Sequence, residues 1–190
     1  MPDNEVTMRV DKLGNKRWRN KNGVFHRLDG PAVEYSDGGK RWYLNGVLHR
    51  EGGPTIEGAN GDKEWYLNGL LHREGGPAVD YSNGGKEWYL NGVLHREGGP
   101  AVERASDKQW WLNGRRHRKG GPAVERADGG KQWYLNGVPH REGGPAVIYA
   151  DGSKWWYLNG VSFKTKESYF DALSYEVKRL CLISEDFLNA

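Results

Sequence analysis

Cysteine is nearly missing from this sequence. Cys181 stands alone, so no disulfide can form within the chain, and the disulfide-stapled secreted scaffolds are excluded. Long apolar runs are missing as well. The most obvious, Leu180 to Ile183, falls far short of the roughly 20 residues that a membrane-spanning helix needs. The opening MPDNEVTMRV has no apolar stretch of the secretory-signal kind, and the expected location is cytoplasmic. Neither sign of charge dominates. Twenty-eight Lys and Arg against 25 Asp and Glu leave +3, which excludes an acidic nucleic-acid mimic and carries no strong nucleic-acid signal. The sequence has no G-x-S-x-G elbow, no phosphate-binding P-loop, no H-E-x-x-H pair and no cysteine cluster. No catalytic residue, metal ligand or cofactor is therefore expected, and an enzyme is not.

Turn formers and aromatics are abundant instead. The chain holds 28 Gly, 9 Trp and 10 Tyr, too many aromatics for a disordered polypeptide. They recur in order. WYLNG begins at Trp42, Trp65, Trp88, Trp133 and Trp156, with WWLNG at Trp110. The Gly of NG falls at Gly23, Gly46, Gly69, Gly92, Gly114, Gly137 and Gly160, a period of 23 residues with one step of 22. Such self-similarity marks a repeat architecture. The short step falls where YSNGGKEW becomes RASDKQW, and a turn absorbs a deletion that a strand would not.

Each repeat reads as a β-hairpin. Pro77–Ser82 and Lys86–Asn91 flank the turn signal Asn83-Gly84-Gly85, and Asn91-Gly92 turns again. The following VLHREGGP reads as a connector outside regular structure. Counting a degenerate first copy, Val6 to Val10 with Lys16 to Asn20, about seven hairpins follow one another. A two-residue loop at Asn83-Gly84 would set Val79 opposite Trp88 and Asp80 opposite Glu87. The concerted changes at Glu34 with Arg41 and at Ile148 with Trp155 fit that register. It puts Val, Trp and Leu on one face, with a large buried Trp in each repeat. The acidic residue, Ala and the second aromatic fall on the other. It also sets acid against acid, Glu57 with Glu64 and Asp80 with Glu87, which asks for the connector arginines to lie across them. After Gly160 the pattern changes. Thr165 can cap a helix from about Lys166 to Ile183, with an apolar stripe at Phe170, Leu173, Val177 and Leu180. The expected fold is all-β: a hairpin array over residues 1–164, closed by a helical cap over 165–190.

The stretch NGVLHREGGPAVEYSDGGKRWYLNG resembles the MORN repeat family, hairpin units of the same period built around NG, a later Gly turn and a strand Trp. HREGGPA stands here where those units carry GxG, and the turn spacing differs by about two residues. Divergent WYLNG…HR.DGPA arrays of bacteriophage and giant-virus proteins are a closer likeness, and related bacterial arrays are often labelled antitoxins. The resemblance implies an elongated binding scaffold without catalytic residues. It points to a phage-encoded inhibitor or modulator of a bacterial host protein, acting against host defence in the host cytoplasm. An antitoxin-like partner of a toxin is the neighbouring alternative.

Two constellations could make contacts. His26, His49, His72, His95, His117 and His140 each precede an Arg. Equivalent positions in stacked hairpins lie about 9–10 Å apart, too far to share a metal ion. The His and Arg side chains are expected to bond the EGGP connector carbonyls. The alternative is a set of slots for a small phosphorylated ligand, which would make the chain a nucleotide-sequestering scaffold. The second constellation is the stripe Tyr66, Tyr89, Trp111 and Tyr134, with the basic cluster Arg115, Arg116, Arg118 and Lys119 in the most basic repeat. These eight residues are the candidate partner-binding site. A second copy of the chain could cover the apolar face as a homodimer.

Overall fold

The computed structural model describes residues 6–174 together with 177 and 178. The protein is all-β; among the described residues a succession of antiparallel hairpins is followed by a short helix, α1 (Lys166–Ala172). It divides into two compact units, Met1–Val93 and Leu94–Ala190. Among the described residues no helix is long and apolar enough to cross a membrane.

In the first unit the sheet starts with the exposed strand Val6–Val10 on Lys16–Asn20. It continues through the paired segments Val33–Glu34 with Lys40–Arg41, Ile56–Glu57 with Lys63–Glu64, and Val79–Asp80 with Lys86–Glu87. The second unit repeats the scheme with Val102–Glu103 and Asp107–Gln109, Val124–Arg126 and Lys131–Gln132, and Val147–Ile148 on Lys154–Leu158. The core is built of small residues. Ala32, Val33, Ala78, Val79, Ala101, Val102, Ala123, Val124, Ala146 and Val147 are all buried.

The register differs by one residue from that expected. Val79 pairs with Glu87 and Asp80 with Lys86. The loop has three residues rather than two. Gly84 N–H donates to Tyr81 O at 2.9 Å and Tyr81 N–H to Gly85 O at 2.9 Å. Gly84 takes φ +87°, so a type I turn closes with a glycine bulge. A one-residue slip turns every side chain to the other face. Val, the Glu87-type residue and the second aromatic therefore share one face. The acid, the Lys and the first Trp share the other. Glu57 faces Lys63 rather than Glu64, and Val147, not Ile148, faces Trp155. The opposed like charges do not exist. The short repeat keeps this register by trimming the loop to Ala105-Ser106, since Arg104 and Asp107 exchange both backbone hydrogen bonds.

The connector is also more regular than expected. The strand breaks after Glu64, and Tyr66–Leu67 pairs with Leu70–Leu71 in a second small hairpin. Its turn is Asn68-Gly69 at φ +51° and +80°, the two left-handed residues that a type I′ turn requires. These hairpins stack along each unit: Gly69 N–H donates to Leu48 O at 2.9 Å and Gly92 N–H to Leu71 O at 2.8 Å. Each repeat thus contributes one hairpin to the sheet and a second to a parallel column.

Most of the tryptophans are half-buried rather than buried; Trp155 is exposed at 52%, and Trp156 is buried at 6% exposure. Trp156 packs on α1 with Tyr169 and Leu173. The helix is shorter than expected. Thr165 caps it, accepting from Ser168 N–H at 3.1 Å, but Leu173 takes extended backbone (φ −73°, ψ 152°) and ends it. Beyond it, the oxygens of Ser174 accept from Val177 N–H at 3.4 Å and Lys178 N–H at 2.9 Å. Val177 still reaches the Trp156–Tyr169 cluster. Leu180 and Ile183 of the expected stripe, and Cys181, lie outside the described residues.

Candidate functional site

The His-Arg slots are occupied by the fold itself. Arg50 lies flat over Trp42, 3.8 Å from the ring centroid, and donates from Nη1 to Pro54 O at 2.7 Å and to Glu57 Oε1 at 3.0 Å. The same clamp holds Arg118 over Trp110 at 3.7 Å, with Pro122 O at 3.0 Å and Glu125 Oε1 at 2.6 Å. The arginines thus bond the connector carbonyls and span the acidic slot, as expected. The histidines do not. Each His Nδ1 instead meets the backbone N–H of the Asn that turns the next repeat, at 3.2 Å for His72 with Asn91 and 3.1 Å for His140 with Asn159. The Asn side chain, held beside the ring at 2.9 Å from His72 Nδ1, completes a stitch between neighbouring repeats. Among the described residues no group of three or more His, Cys, Asp or Glu converges as a metal site would need.

The eight candidate contact residues divide. In the first unit, Tyr66 donates its hydroxyl to Glu64 Oε2 at 2.8 Å and Tyr89 to Glu87 Oε2 at 3.0 Å. Glu87 is buried, at 6% exposure. Burial and the adjacent Glu64 carboxylate push the Tyr66 phenol up to about 12. These two tyrosines are half-buried packing elements of their own hairpins. In the second unit, Arg118 belongs to the Trp110 clamp. Lys119 is exposed and lines a cleft with Arg118, Trp133, His140 and Glu142 on the connector side.

The remaining four meet at one place. Trp111 pairs with Arg116 across the Asn113-Gly114 hairpin, with Arg115 beside it. The Arg116 guanidinium carbon lies 5.2 Å from the Trp111 ring and 5.4 Å from the Tyr134 ring of the next repeat. An open cleft of about 430 Å³ is lined by Trp111, Arg115, Arg116, Tyr134, Asn136 and Val138. A second cleft of similar size is also lined by Arg116, together with Asp107, Gln109, Arg126 and Asp128. Gln109, Asn136 and Val138 were not among the expected contact residues. Gln109 could have been found: where the first unit has Glu87, this repeat has Gln, and where it has Leu48 and Leu71, this repeat has Arg116.

Those two changes leave a guanidinium with spare capacity. Arginine carries five N–H donors. Among the described residues Arg116 uses one, from Nη2 to Gln109 Oε1 at the long distance of 3.5 Å. Trp111 Nε1 holds that same oxygen at 3.1 Å, and the Gln109 amide N–H is committed to Asp107. Arg116 Nε is buried with no partner, alone in this among the described side chains. An unsatisfied donor of this kind costs about 1–3 kcal/mol, and in the repeats that carry Leu the cost does not arise. No family model matches the chain, and no curated protein is similar to it.

Proposed function

We propose that the chain is a non-enzymatic repeat scaffold that binds a protein partner. The observation that carries the reading is the cleft around Arg116. One repeat replaces an apolar residue by an arginine whose donors the fold leaves almost unused, between two aromatic rings. Buried aromatics and arginine are the residue types that dominate protein interfaces. The repeats supply a rigid frame, and one departure from the pattern gives a partner a single place to dock. A bacterial host protein as partner, with a phage-encoded chain inhibiting or modulating it, is the version that the repeat resemblance favours. The nucleotide-sequestering alternative has less support, because the His and Arg side chains it needs are engaged with Asn turns, Pro carbonyls, Trp rings and acids.

The test is affinity purification from bacterial lysate, followed by reconstitution of the captured protein with the pure chain. The control is a variant carrying Arg115→Glu, Arg116→Glu and Lys119→Glu. One dominant protein that co-elutes with the wild type and not with the variant is the expected result. A partner retained by the variant would move the site elsewhere. Capture of none, alongside thermal stabilisation by a nucleotide panel, would favour the small-ligand reading.

A further inference from the structure

Resting on the protein-binding reading, we infer that the Arg116 cleft recognises a carboxylate set beside an apolar side chain, in an acidic-hydrophobic segment of the partner. Three features of the cleft lead there. The first is charge. Arg115 and Arg116 both line it, and no carboxylate does; Arg115 is exposed and makes no ion pair among the described residues. A guanidinium offers a planar fork that matches a carboxylate. The Nη donors of Arg116 that are not buried, rather than the buried Nε, are the ones that such a carboxylate can reach.

The second feature is that the charge is local. In the following repeat the positions of Arg115 and Arg116 are Val138 and Pro139, and Val138 is exposed. A polyanion with a charge at every step, such as nucleic acid, would leave the two arginines and run onto an apolar surface. The other cleft that Arg116 lines sets Asp107 and Asp128 beside Arg126, so it offers no continuous cationic surface for a polyanion to follow. A single carboxylate meets neither difficulty.

The third feature is the wall. Trp111 and Tyr134 flank the guanidinium, and Val138 extends the apolar surface. Their ring edges and the valine can cover an aliphatic or aromatic side chain adjacent to the acid. That contact removes water from around the ion pair and strengthens it. The same rings keep the Arg116 side chain in place before a ligand arrives, which lowers the entropy cost of binding.

The experiment uses the full chain and a fluorescein-labelled peptide of alternating Glu and Leu, read by fluorescence anisotropy. Comparison probes are a peptide of alternating Gln and Leu, inorganic phosphate and single-stranded DNA. The main variant is Arg116→Leu, which restores the residue found at Leu48 and Leu71 and so fits the repeat frame. Saturable binding of the Glu-Leu peptide, weakened at least about tenfold in Arg116→Leu and by the Gln-Leu exchange, is the expected outcome. Affinity should also fall as salt is raised. Equal binding by wild type and Arg116→Leu would overturn the inference, as would no binding of the Glu-Leu peptide, or tighter binding of DNA or phosphate than of the peptide. The broader reading is tested separately. If a captured protein still binds Arg116→Leu but is lost from the triple-Glu variant, a partner site exists and the carboxylate assignment fails.

Discussion

The Arg50 guanidinium lies 3.8 Å from the centre of the Trp42 ring, and from there Nη1 reaches both Pro54 O and Glu57 Oε1. One side chain thus covers the face of an aromatic, ties down the connector that follows it and neutralises the acid of the next sheet hairpin. Trp65 has Arg73 at 3.8 Å and Trp133 has Arg141 at 3.9 Å, each arginine also donating to a connector carbonyl, Pro77 O and Pro145 O. In a protein whose buried core is mainly Ala and Val, these polar clamps take on part of the job that large apolar side chains do elsewhere.

Replacing Arg50 by Ala should therefore destabilise the first unit by about 1–3 kcal/mol, the combined scale of a half-exposed cation–π contact and charge-assisted hydrogen bonds. Arg50→Lys keeps the charge but not the fork, and should recover less than half of the loss. Urea denaturation followed by tryptophan fluorescence gives both values. A loss within error of zero for Arg50→Ala would show that the clamp is decoration.

The two glycines of the connector have different reasons, and a double-mutant cycle separates them. A Cβ on Gly53 would stand 2.8 Å from Arg50 Cζ, whereas one on Gly52 meets nothing, but Gly52 has φ +76°. Gly52→Ala should cost about 1–2 kcal/mol through backbone strain, whatever stands at position 50. Gly53→Ala should destabilise the wild type yet cost little in an Arg50→Ala background. Non-zero coupling for Gly53 with zero coupling for Gly52 is the expected pattern.

The repeat period, the Asn-Gly turns, the turn location of the short step and the all-β class were all legible in the sequence, because Gly, Asn and Trp mark the frame directly. The register was not. SNGG is read equally well as a two-residue loop or as a three-residue loop closed by a left-handed glycine. The structure takes the second, with Gly84 at φ +87°. The covariations seemed to decide it, yet Glu34 faces Lys40 and Ile148 faces Lys154. In the Lys40-Arg41 strand Glu34 finds a cation at either register. The second hairpin was hidden for another reason: two-residue strands such as Leu70–Leu71 are too short to show alternation. Of the candidate site, the unusual repeat stood out by composition. That Arg118 is clamped while Arg116 is nearly unpartnered depends on which way each side chain points across a hairpin, and the slipped register concealed that.

At the far end, the Tyr169 hydroxyl accepts from Gly143 N–H at 3.1 Å and donates to Arg141 O, and the residue is fully buried. Tyr169→Phe keeps the ring stack on Trp156, 4.8 Å between centroids, but strands both backbone groups. It should destabilise the second unit by about 1–3 kcal/mol. Hydrogen exchange at the Gly143 amide should quicken while the first unit's amides are unchanged. Unaltered exchange at Gly143 would show that α1 is held by its apolar contacts alone.

Asp62 and Tyr66 should give the first unit opposite responses at the two ends of the pH scale. Asp62 accepts from the backbone N–H of Ser82 in the next loop at 2.7 Å and from Asn60 Nδ2 at 2.8 Å. The Ser82 bond foremost, then Asn60, hold its carboxyl below the ordinary value of 3.8. A depressed carboxylate contributes stability that is present above that ordinary value and lost as pH falls through the native one. Tyr66 is the reverse case. Its phenol, raised by burial and then by Glu64 from 10.0 to about 12, favours the fold while protonated, and that contribution is lost as pH rises from 10 towards 12. Denaturation midpoints measured from pH 2 to 12 should show Asp62→Asn losing part of the wild-type dependence below pH 4. Tyr66→Phe should change only the limb above pH 10. Absorbance at 295 nm should lose one late-titrating phenol in Tyr66→Phe. A Tyr66→Phe profile parallel to wild type up to pH 12 would mean that neither burial nor the Glu64 contact holds that proton.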